Sequence, residues 1–290
     1  MRRLKIVHRT RYEFPETVRL GPHRLLLRPR EGHELHIESS LLETSPVATV
    51  HWLRDIYDNS VAIANFALPA TQLMIDSEVV VQHFDEAPLD FVVADEAVNY
   101  PFRYDPDSAA VLRPYLVDVQ APVEQQALRS WLSQRWQVGE QVQTYGLLQR
   151  MCVDIKDTLE YQAREYPGVQ TAAETLARGA GSCRDFASLF MFASRCLGLA
   201  ARFVSGYLDT PHTGSGATHA WAEVYLPGAG WKGFDPTLGE MVGSKHIAVA
   251  VARRPDVVSP VAGTFFGQPG ASLFVDVAVT ALDGRAATTG

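Results

Sequence analysis

The sequence has few cysteines, and they are spread along the chain. Cys152, Cys183 and Cys196 form no Cys-x-x-Cys pair, which excludes a disulfide framework, and their odd number is typical of a reducing compartment. No apolar run follows the basic N-terminal residues, which excludes a signal peptide. The most apolar stretch, residues 61–75, is broken by proline and polar residues and is too short to span a bilayer. We therefore expect a cytoplasmic protein with no membrane partner.

The chain also lacks an excess of positive charge. Its 26 lysines and arginines stand against 33 aspartates and glutamates, a formal net charge of −7. A protein that binds nucleic acid by neutralising phosphates needs the opposite balance, so we expect no nucleic-acid partner. The hydrophobic fraction of 47% is ordinary for a globular protein. At 290 residues the chain is long for one compact domain, and two domains are expected.

The N-terminal part of the chain predicts strands. Five segments are rich in β-branched or aromatic residues and are separated by turn residues; they are Leu4–Phe14, Glu34–Thr44, Thr49–Tyr57, Val61–Leu68 and Gln72–Phe84. Asp58-Asn59-Ser60 is typical of a hairpin turn between two of them. No helical period of comparable strength occurs here. We predict an all-β, sandwich- or barrel-like domain over residues 1–117.

Helices and then further strands are predicted over residues 118–290, the second domain. Pro122 suits a first helical position, a second helix is predicted near Thr144, and Thr171 opens a capping box. A further helix is predicted to begin at Cys183 and to stop at Gly198. Beyond that glycine the apolar period changes to two, which predicts strands over residues 201–208, 218–226, 231–235 and 273–279.

Cys183 has a different setting from the other two cysteines. Cys152 and Cys196 lie within helix bodies on or beside apolar stripes, as small buried hydrophobic residues do. Cys183 is instead the first residue of its predicted helix, where unpaired N–H groups and the positive end of the helix dipole favour a thiolate. The same N–H groups could hold a developing oxyanion. Cys183 is therefore a candidate nucleophile.

His219 and Asp235 are the residues that could complete a nucleophilic site. Alternation along the strand places His219 and Trp221 on a large, polar-aromatic face, as expected of a strand that lines a cleft. The other eight histidines lack such a setting. Asp235 lies in the next strand, but its face depends on a register that the Pro-Gly-Ala-Gly turn leaves open. An aspartate before Pro236 is also typical of a turn, so both interpretations of Asp235 stay open.

These segments together resemble a known family. The motifs are Gly-Ser-Cys-Arg-Asp-Phe-Ala at 181–187, Thr-His-Ala-Trp-Ala-Glu-Val-Tyr at 218–225 and Trp-Lys-Gly-Phe-Asp-Pro-Thr at 231–237. They resemble the bacterial transglutaminase-like family of papain-like cysteine peptidases, and Leu-Leu-Leu-Arg-Pro-Arg at 25–30 resembles the β-rich domain that precedes the core in one branch. The resemblance implies an α+β fold whose core packs helices on an antiparallel sheet. It implies Cys183 as nucleophile, His219 as general base and acid, and Asp235 as the carboxylate that orients the imidazole.

The resemblance also suggests the remaining site residues. In relatives an upstream tryptophan or glutamine complements the nucleophile's own backbone N–H as an oxyanion donor; the candidates beside Cys183 here are Trp131, Trp136, Tyr161 and Gln162. Tyr161 and Gln162 are favoured because they are nearest to the cysteine motif. Trp221, Ser182 and Asp185 are candidates for lining the cleft, and residues 206–218 are predicted to form a loop beside His219. No cofactor and no metal ion are implied.

The expected function is a thiol-dependent amide hydrolase or acyltransferase that forms a thioester, with a peptide or protein amide as substrate. Hydrolysis is favoured over protein cross-linking because nothing in the sequence suggests a calcium site or a second amine-binding domain. A true amine-incorporating transglutaminase would use the same three groups. Two other classes stay open: an inactive fold that binds a peptide or partner, and a zinc site formed by the triad residues. The intact triad speaks against the first, and the single thiol and imidazole speak against the second.

Overall fold

The structure is a computed structural model that describes residues 1–84, 89–116, 122–164, 168–209 and 218–282. Its strands are β1 (Arg2–Leu25), β2 (Leu35–Ser45), β3 (Ala48–Arg54), β4 (Ser60–Phe66), β5 (Ala70–His83), β6 (Asn99–Tyr100), β7 (Val142–Gln143), β8 (Glu160–Tyr161), β9 (Ala180–Gly181), β10 (Ala201–Leu208), β11 (His219–Leu226), β12 (Gly230–Asp235), β13 (Glu240–Met241), β14 (His246–Ala252), β15 (Val261–Phe266) and β16 (Ser272–Ala281). Its α-helices are α1 (Asp95–Val98), α2 (Pro106–Leu116), α3 (Pro122–Leu132), α4 (Thr144–Thr158), α5 (Ala172–Arg178) and α6 (Cys183–Cys196), and a 3-10 turn spans Pro255–Val257.

The described ranges contain no helix that is both long and apolar enough to cross a membrane. Of the loop predicted at residues 206–218, the first three residues belong to β10, and residues 210–217 lie outside the described part of the chain.

The first sheet is organised around β1, and β1–β5 confirm a β-rich N-terminal region. The predicted range 1–117 also contains helices α1 and α2, so the prediction that all of it is β was wrong. The strand order is β2-β5-β1-β4-β3, and β15 and β16 also pair with β1. The first half of β1 pairs with β5 and β16, and its second half pairs with β4 and β15. The register with β5 shifts between Glu13 and Val18. Such an irregularity bends a strand, and the sheet therefore curls.

The last two strands of the chain belong to this first sheet. β16 pairs with β1 from Leu4 opposite Ala281 to Glu13 opposite Ser272. The predicted division at residues 117–118 assigned these strands to the second domain, so that division does not separate the two sheets. Alternation identifies a strand but not its partner. Because β1 is 24 residues long, it exposes enough edge to pair with strands from both ends of the chain.

The second sheet is five-stranded and antiparallel, in the order β13-β12-β11-β10-β14. Helix α6 packs on it, and the Phe190 ring of the helix stacks on the Phe234 ring of β12 with centroids 5.4 Å apart. Buried residues of both sheets, among them Ile6 and Tyr207, share one hydrophobic core. This arrangement of helices on an antiparallel sheet confirms the predicted α+β class.

Asn59, in the turn between β3 and β4, joins the two sheets. Its side chain is fully buried and pairs with both backbone groups of Val251 in β14, donating to the carbonyl oxygen at 2.8 Å and accepting from the N–H at 2.9 Å. It also accepts a hydrogen bond from Arg30 at 2.8 Å and donates one to Asp55 at 3.0 Å. Asn59 thus makes the two hydrogen bonds with Val251 that a neighbouring strand would make with β14.

We expect Asn59→Ala to lower the free energy of unfolding by about 2–4 kcal/mol, because it leaves several buried polar partners unsatisfied. Urea denaturation followed by circular dichroism measures the change. Asn65→Ala is the matched control, since Asn65 lies exposed on β4 and should change stability by no more than about 0.5 kcal/mol. Equal stability of the two variants would contradict the role of Asn59 as the joint.

Candidate active site

The nucleophile candidate lies at the start of α6, as the sequence predicts. Cys183 is the first residue of the helix and is 7% exposed. Its backbone N–H is one of the groups at the helix N-terminus that have no partner within the helix. Ser182, the residue before it, is held by the Asp185 carboxylate, which accepts hydrogen bonds from the Ser182 backbone N–H and hydroxyl at 2.8 Å each.

Asp185 fixes the backbone that carries Cys183. Its other oxygen accepts hydrogen bonds from the Gln170 N–H at 2.7 Å and from Arg164 Nη2 at 3.0 Å. A Cβ at Gly181 would fall 2.9 Å from the Asp185 Cβ, so the glycine permits this close approach. Asp185 is 0% exposed and Ser182 is 3% exposed. The expectation that these two residues line the cleft is therefore corrected: they lie below the surface and support the nucleophile.

The register of the second sheet resolves the question left open for Asp235. Ala222 of β11 pairs with Phe234 of β12, so Asp235 falls opposite Trp221. Residues two apart on a strand share a face, and Asp235 therefore lies on the face of His219. The two side chains meet: His219 Nε2 is 2.6 Å from Asp235 Oδ2. The register thus brings base and carboxylate together.

The imidazole of His219 bridges the thiol and the carboxylate. Because Nε2 faces Asp235, Nδ1 is the nitrogen left for the hydrogen bond with Cys183. Burial alone would lower the pKa of His219, but the hydrogen bonds and charges of Asp235 and Cys183 outweigh it and raise this pKa to about 10. The imidazolium form is therefore favoured at neutral pH, next to the sulfur.

The Asp235 carboxylate has both of the roles that the sequence allows. Oδ1 accepts the backbone N–H groups of Thr237 at 2.9 Å and Leu238 at 3.3 Å, which is the turn role. Oδ2 accepts from His219 and, at 3.0 Å, from His246 Nε2. Burial would raise the pKa of Asp235, but the hydrogen bonds of His219 and His246 and the charge of His219 hold it below its ordinary value. The fully buried carboxylate thus stays ionised.

His246 is the residue that the sequence interpretation missed. The sequence gives it no functional setting, and that interpretation is wrong because His246 contacts Asp235 directly. His246 is the first residue of β14 and is 4% exposed. Its neighbours in sequence carry no motif, and β14 and β12 are not adjacent strands. No local signal could have identified it.

The oxyanion candidates divide into two groups. The short parallel pairing of β8 with β9 places Tyr161 beside Gly181, and the Gln162 N–H donates to the Gly181 carbonyl at 2.8 Å. Both side chains are exposed next to the cysteine segment. Trp136 instead donates its indole N–H to Glu140 at 3.0 Å, and Trp131 stacks on Arg135 at 3.7 Å. Tyr161 and Gln162 thus lie beside the cysteine segment, whereas the indole N–H of Trp136 is already engaged with Glu140.

Trp221 does not match the expectation that it lines the cleft, and the carboxylate–histidine cluster does not have the spacing of a zinc site. Trp221 is 1% exposed, and its ring lies edge-on against His246 with centroids 5.2 Å apart, so it packs behind the triad and does not line a cleft. His219, Asp235 and His246 offer ligand atoms within 4.8 Å of one another. Two ligands of one tetrahedral zinc lie about 3.3 Å apart, whereas the separations here are 2.6 and 3.0 Å. The spacing is that of hydrogen bonds.

The geometry defines a thiol–imidazole–carboxylate site on a transglutaminase-like fold, and comparison with known proteins agrees. Residues 4–82 match the bacterial transglutaminase-like N-terminal region, and residues 132–236 match the core of the transglutaminase-like superfamily. The chain thus combines a bacterial transglutaminase-like N-terminal region with a transglutaminase-like core, and the family predicted from the motifs is confirmed.

Similar proteins cover nearly the whole chain. An uncharacterized protein of Mycobacterium leprae is 24% identical over 292 residues, covering 97% of this chain and 100% of that protein. An uncharacterized protein of Mycobacterium tuberculosis H37Rv is 26% identical over 291 residues, covering 96% and 91%. A solved structure from Cytophaga hutchinsonii, described as a candidate cysteine protease, has a TM-score of 0.73 at 20% identity and covers 98% and 91%. That likeness shows a shared fold.

We expect Asp235→Asn to lower the pKa of His219 from about 10 to below its ordinary range, because burial then outweighs the remaining interactions. Titration of isotope-labelled histidine by NMR measures it. His8 is an internal reference, since burial lowers its pKa to about 4 and it should not respond. Asp256→Asn, which removes an exposed partner of Arg254, should leave His219 unchanged. A wild-type His219 that titrates near 6.5 would contradict this electrostatic account.

Proposed function

We propose that the protein is a thiol-dependent amide hydrolase that acts through Cys183, His219 and Asp235. The observation that carries the proposal is the buried chain of interactions from the Cys183 thiol through His219 to Asp235, at the N-terminus of a helix. A nucleophile, a base within hydrogen-bond reach and a third group that orients the base are the arrangement that acyl transfer requires. The substrate class is a peptide or protein amide.

The reaction begins with attack of the Cys183 sulfur on the amide carbonyl carbon, after its proton has moved to His219. The carbonyl oxygen becomes an oxyanion in the tetrahedral intermediate. The intermediate collapses as the C–N bond breaks and His219 gives its proton to the leaving amine, which leaves a thioester on the sulfur. Water then attacks the thioester, with His219 as the base, and releases the acid product and the free thiol. Asp235 keeps the imidazole oriented through both steps.

The oxyanion would be held by donors at the head of α6. The backbone N–H of Cys183 is one such group. We propose the side chain of Gln162, whose backbone N–H pairs with the Gly181 carbonyl, as a second. The phenol of Tyr161 is an alternative second donor. Burial and the charge of Cys183 raise the pKa of Tyr161, so its hydroxyl keeps its proton at neutral pH. Donors of this kind act where charge develops in the transition state.

Hydrolysis and amine transfer share every step up to the thioester, so the acceptor decides between them. The Cytophaga hutchinsonii protein is described as a candidate cysteine protease, which supports hydrolysis. Pure protein incubated with a library of peptide amides and a labelled amine tests the acceptor. We expect cleaved peptides and an acyl adduct on Cys183 by mass spectrometry. Amine incorporation without cleavage would make the protein a transglutaminase, and no adduct would favour a binding function.

We expect Cys183 to react with iodoacetamide at pH 7 at least about tenfold faster than an ordinary thiol, because the imidazolium of His219 stabilises the thiolate. His219→Ala should remove this advantage, and Cys183→Ala should abolish both the labelling and the peptide cleavage. Peptide mapping after timed alkylation measures each cysteine separately. Cys196 is half-buried and serves as the reference thiol, and Cys196→Ser is the matched control. Burial raises the pKa of Cys152, so that thiol should stay inert. Equal rates at Cys183 and Cys196 would contradict the proposal.

We expect Gln162→Ala to lower kcat for peptide cleavage by about 10²-fold, with little change in KM, if Gln162 is the second oxyanion donor. Steady-state kinetics with a fluorogenic peptide amide measure this. Tyr161→Phe is the matched variant, because it removes only the hydroxyl of the preceding residue. A loss of kcat in Tyr161→Phe with full activity in Gln162→Ala would assign the role to Tyr161.

A further inference from the structure

His246 reaches the triad from a strand that is not adjacent to β12. In the register of β10, Gly206 pairs with His219 of β11, and Leu208, two residues on, pairs with His246 of β14. The first residue of β11 is His219. No residue of β11 therefore lies between the start of β14, at His246, and the end of β12, at Asp235. His246 Nε2 therefore lies 3.0 Å from Asp235 Oδ2.

Packing fixes the ring of His246 in this position. The Trp221 ring meets it edge-on with centroids 5.2 Å apart. A Cβ at Gly206 would fall 2.6 Å from Trp221 Cη2 and 2.3 Å from the Ile247 carbonyl oxygen, so only glycine leaves room for the indole there. The contact holds both large rings against the same end of the sheet.

The hydrogen bonds of His246 define its tautomer. The Gly243 N–H donates to His246 Nδ1 at 3.3 Å, so Nδ1 carries a lone pair and the proton lies on Nε2. Nε2 therefore donates to Asp235. The carboxylate oxygen that faces His219 thus receives a second, neutral donor, which limits how the carboxylate can rotate.

Residues of the first sheet hold the segment that carries His246. His83, the last residue of β5, donates from Nε2 to the His246 carbonyl oxygen at 3.1 Å. Arg2, the first residue of β1, donates to the Ser244 carbonyl oxygen at 3.2 Å and forms an ion pair with Asp209, the residue after β10. The first sheet therefore contacts the triad carboxylate through one intermediate residue.

We propose that His246 is a positioning residue that holds the Asp235 carboxylate in register with His219, and that His83 and Arg2 of the first sheet hold His246 in place. The proposal rests on the proposed function for its catalytic meaning. It gives the N-terminal region a role in the chemistry, because His83 and Arg2 of that region hold His246, the second histidine that donates to the Asp235 carboxylate.

Two amide substitutions at His246 test whether its Nε2–H group donates to Asp235. His246→Gln places an amide N–H near the position of Nε2, whereas the shorter side chain of His246→Asn cannot reach Asp235. We expect the Asn variant to slow alkylation of Cys183 at pH 7 by about tenfold, the worth of one hydrogen bond to a charged group, and the Gln variant to restore most of the rate. In proton NMR, the low-field signal of the His219 Nε2 proton should shift or broaden in the His246→Asn variant and persist in the His246→Gln variant.

The same pair of substitutions at His8 controls for the loss of a buried imidazole. His8 is 1% exposed and hydrogen-bonds to Thr10 and Tyr207, neither of which is a triad residue. Its Gln and Asn variants should leave both readouts unchanged. Wild-type behaviour of His246→Asn, or equal loss in both His246 variants with an unchanged His219 proton signal, would overturn the proposal. If wild-type Cys183 shows no enhanced alkylation, the proposed function fails, while the proton signal still decides the role of His246.

Discussion

The ionised Asp235 carboxylate is the group around which the second sheet is arranged. A buried charge costs several kcal/mol unless it is fully hydrogen-bonded. Asp235 is fully buried and accepts from two backbone N–H groups and two imidazoles. Satisfying it requires the turn after β12, the first residue of β11 and the first residue of β14 to meet at one point. The sheet register that achieves this also orients the base.

A second buried carboxylate does the same for the nucleophile. Asp185 accepts hydrogen bonds from the Ser182 N–H and hydroxyl, the Gln170 N–H and Arg164. Each acid supports one member of the thiol–imidazole pair: Asp185 holds Ser182, the residue before Cys183, and Asp235 holds His219. Each converts a flexible element, a helix terminus or a histidine side chain, into one fixed by several hydrogen bonds. Rigid support of this kind is what holds a nucleophile and its base within reacting distance.

The local features of this arrangement could be predicted from the sequence, and the long-range ones could not. The start of α6 at Cys183, the capping box at Thr171 and the strand that begins at His219 depend on residues within a few positions of one another. The face of Asp235 depended on a register, which alternation does not determine. The pairing of β16 with β1 and the reach of His246 depend on strands far apart in the chain. Contacts of that kind leave no periodic signal in a single sequence.

The N-terminal region contacts the segment that carries His246, through His83 and Arg2. The family matches cover residues 4–82 and 132–236, so the three triad residues lie inside the core match while His83 and His246 lie outside both. The core match, which ends at residue 236, thus contains His219 but omits the other three donors to Asp235, namely Thr237, Leu238 and His246. Leaving a buried charged group short of one donor costs about 1–3 kcal/mol, which is a large share of the stability of a typical domain. The curled first sheet holds one of these donors, His246, through His83 and Arg2. The triad carboxylate is therefore stabilised at the junction between the two sheets, and the fold and the chemistry depend on the same contacts.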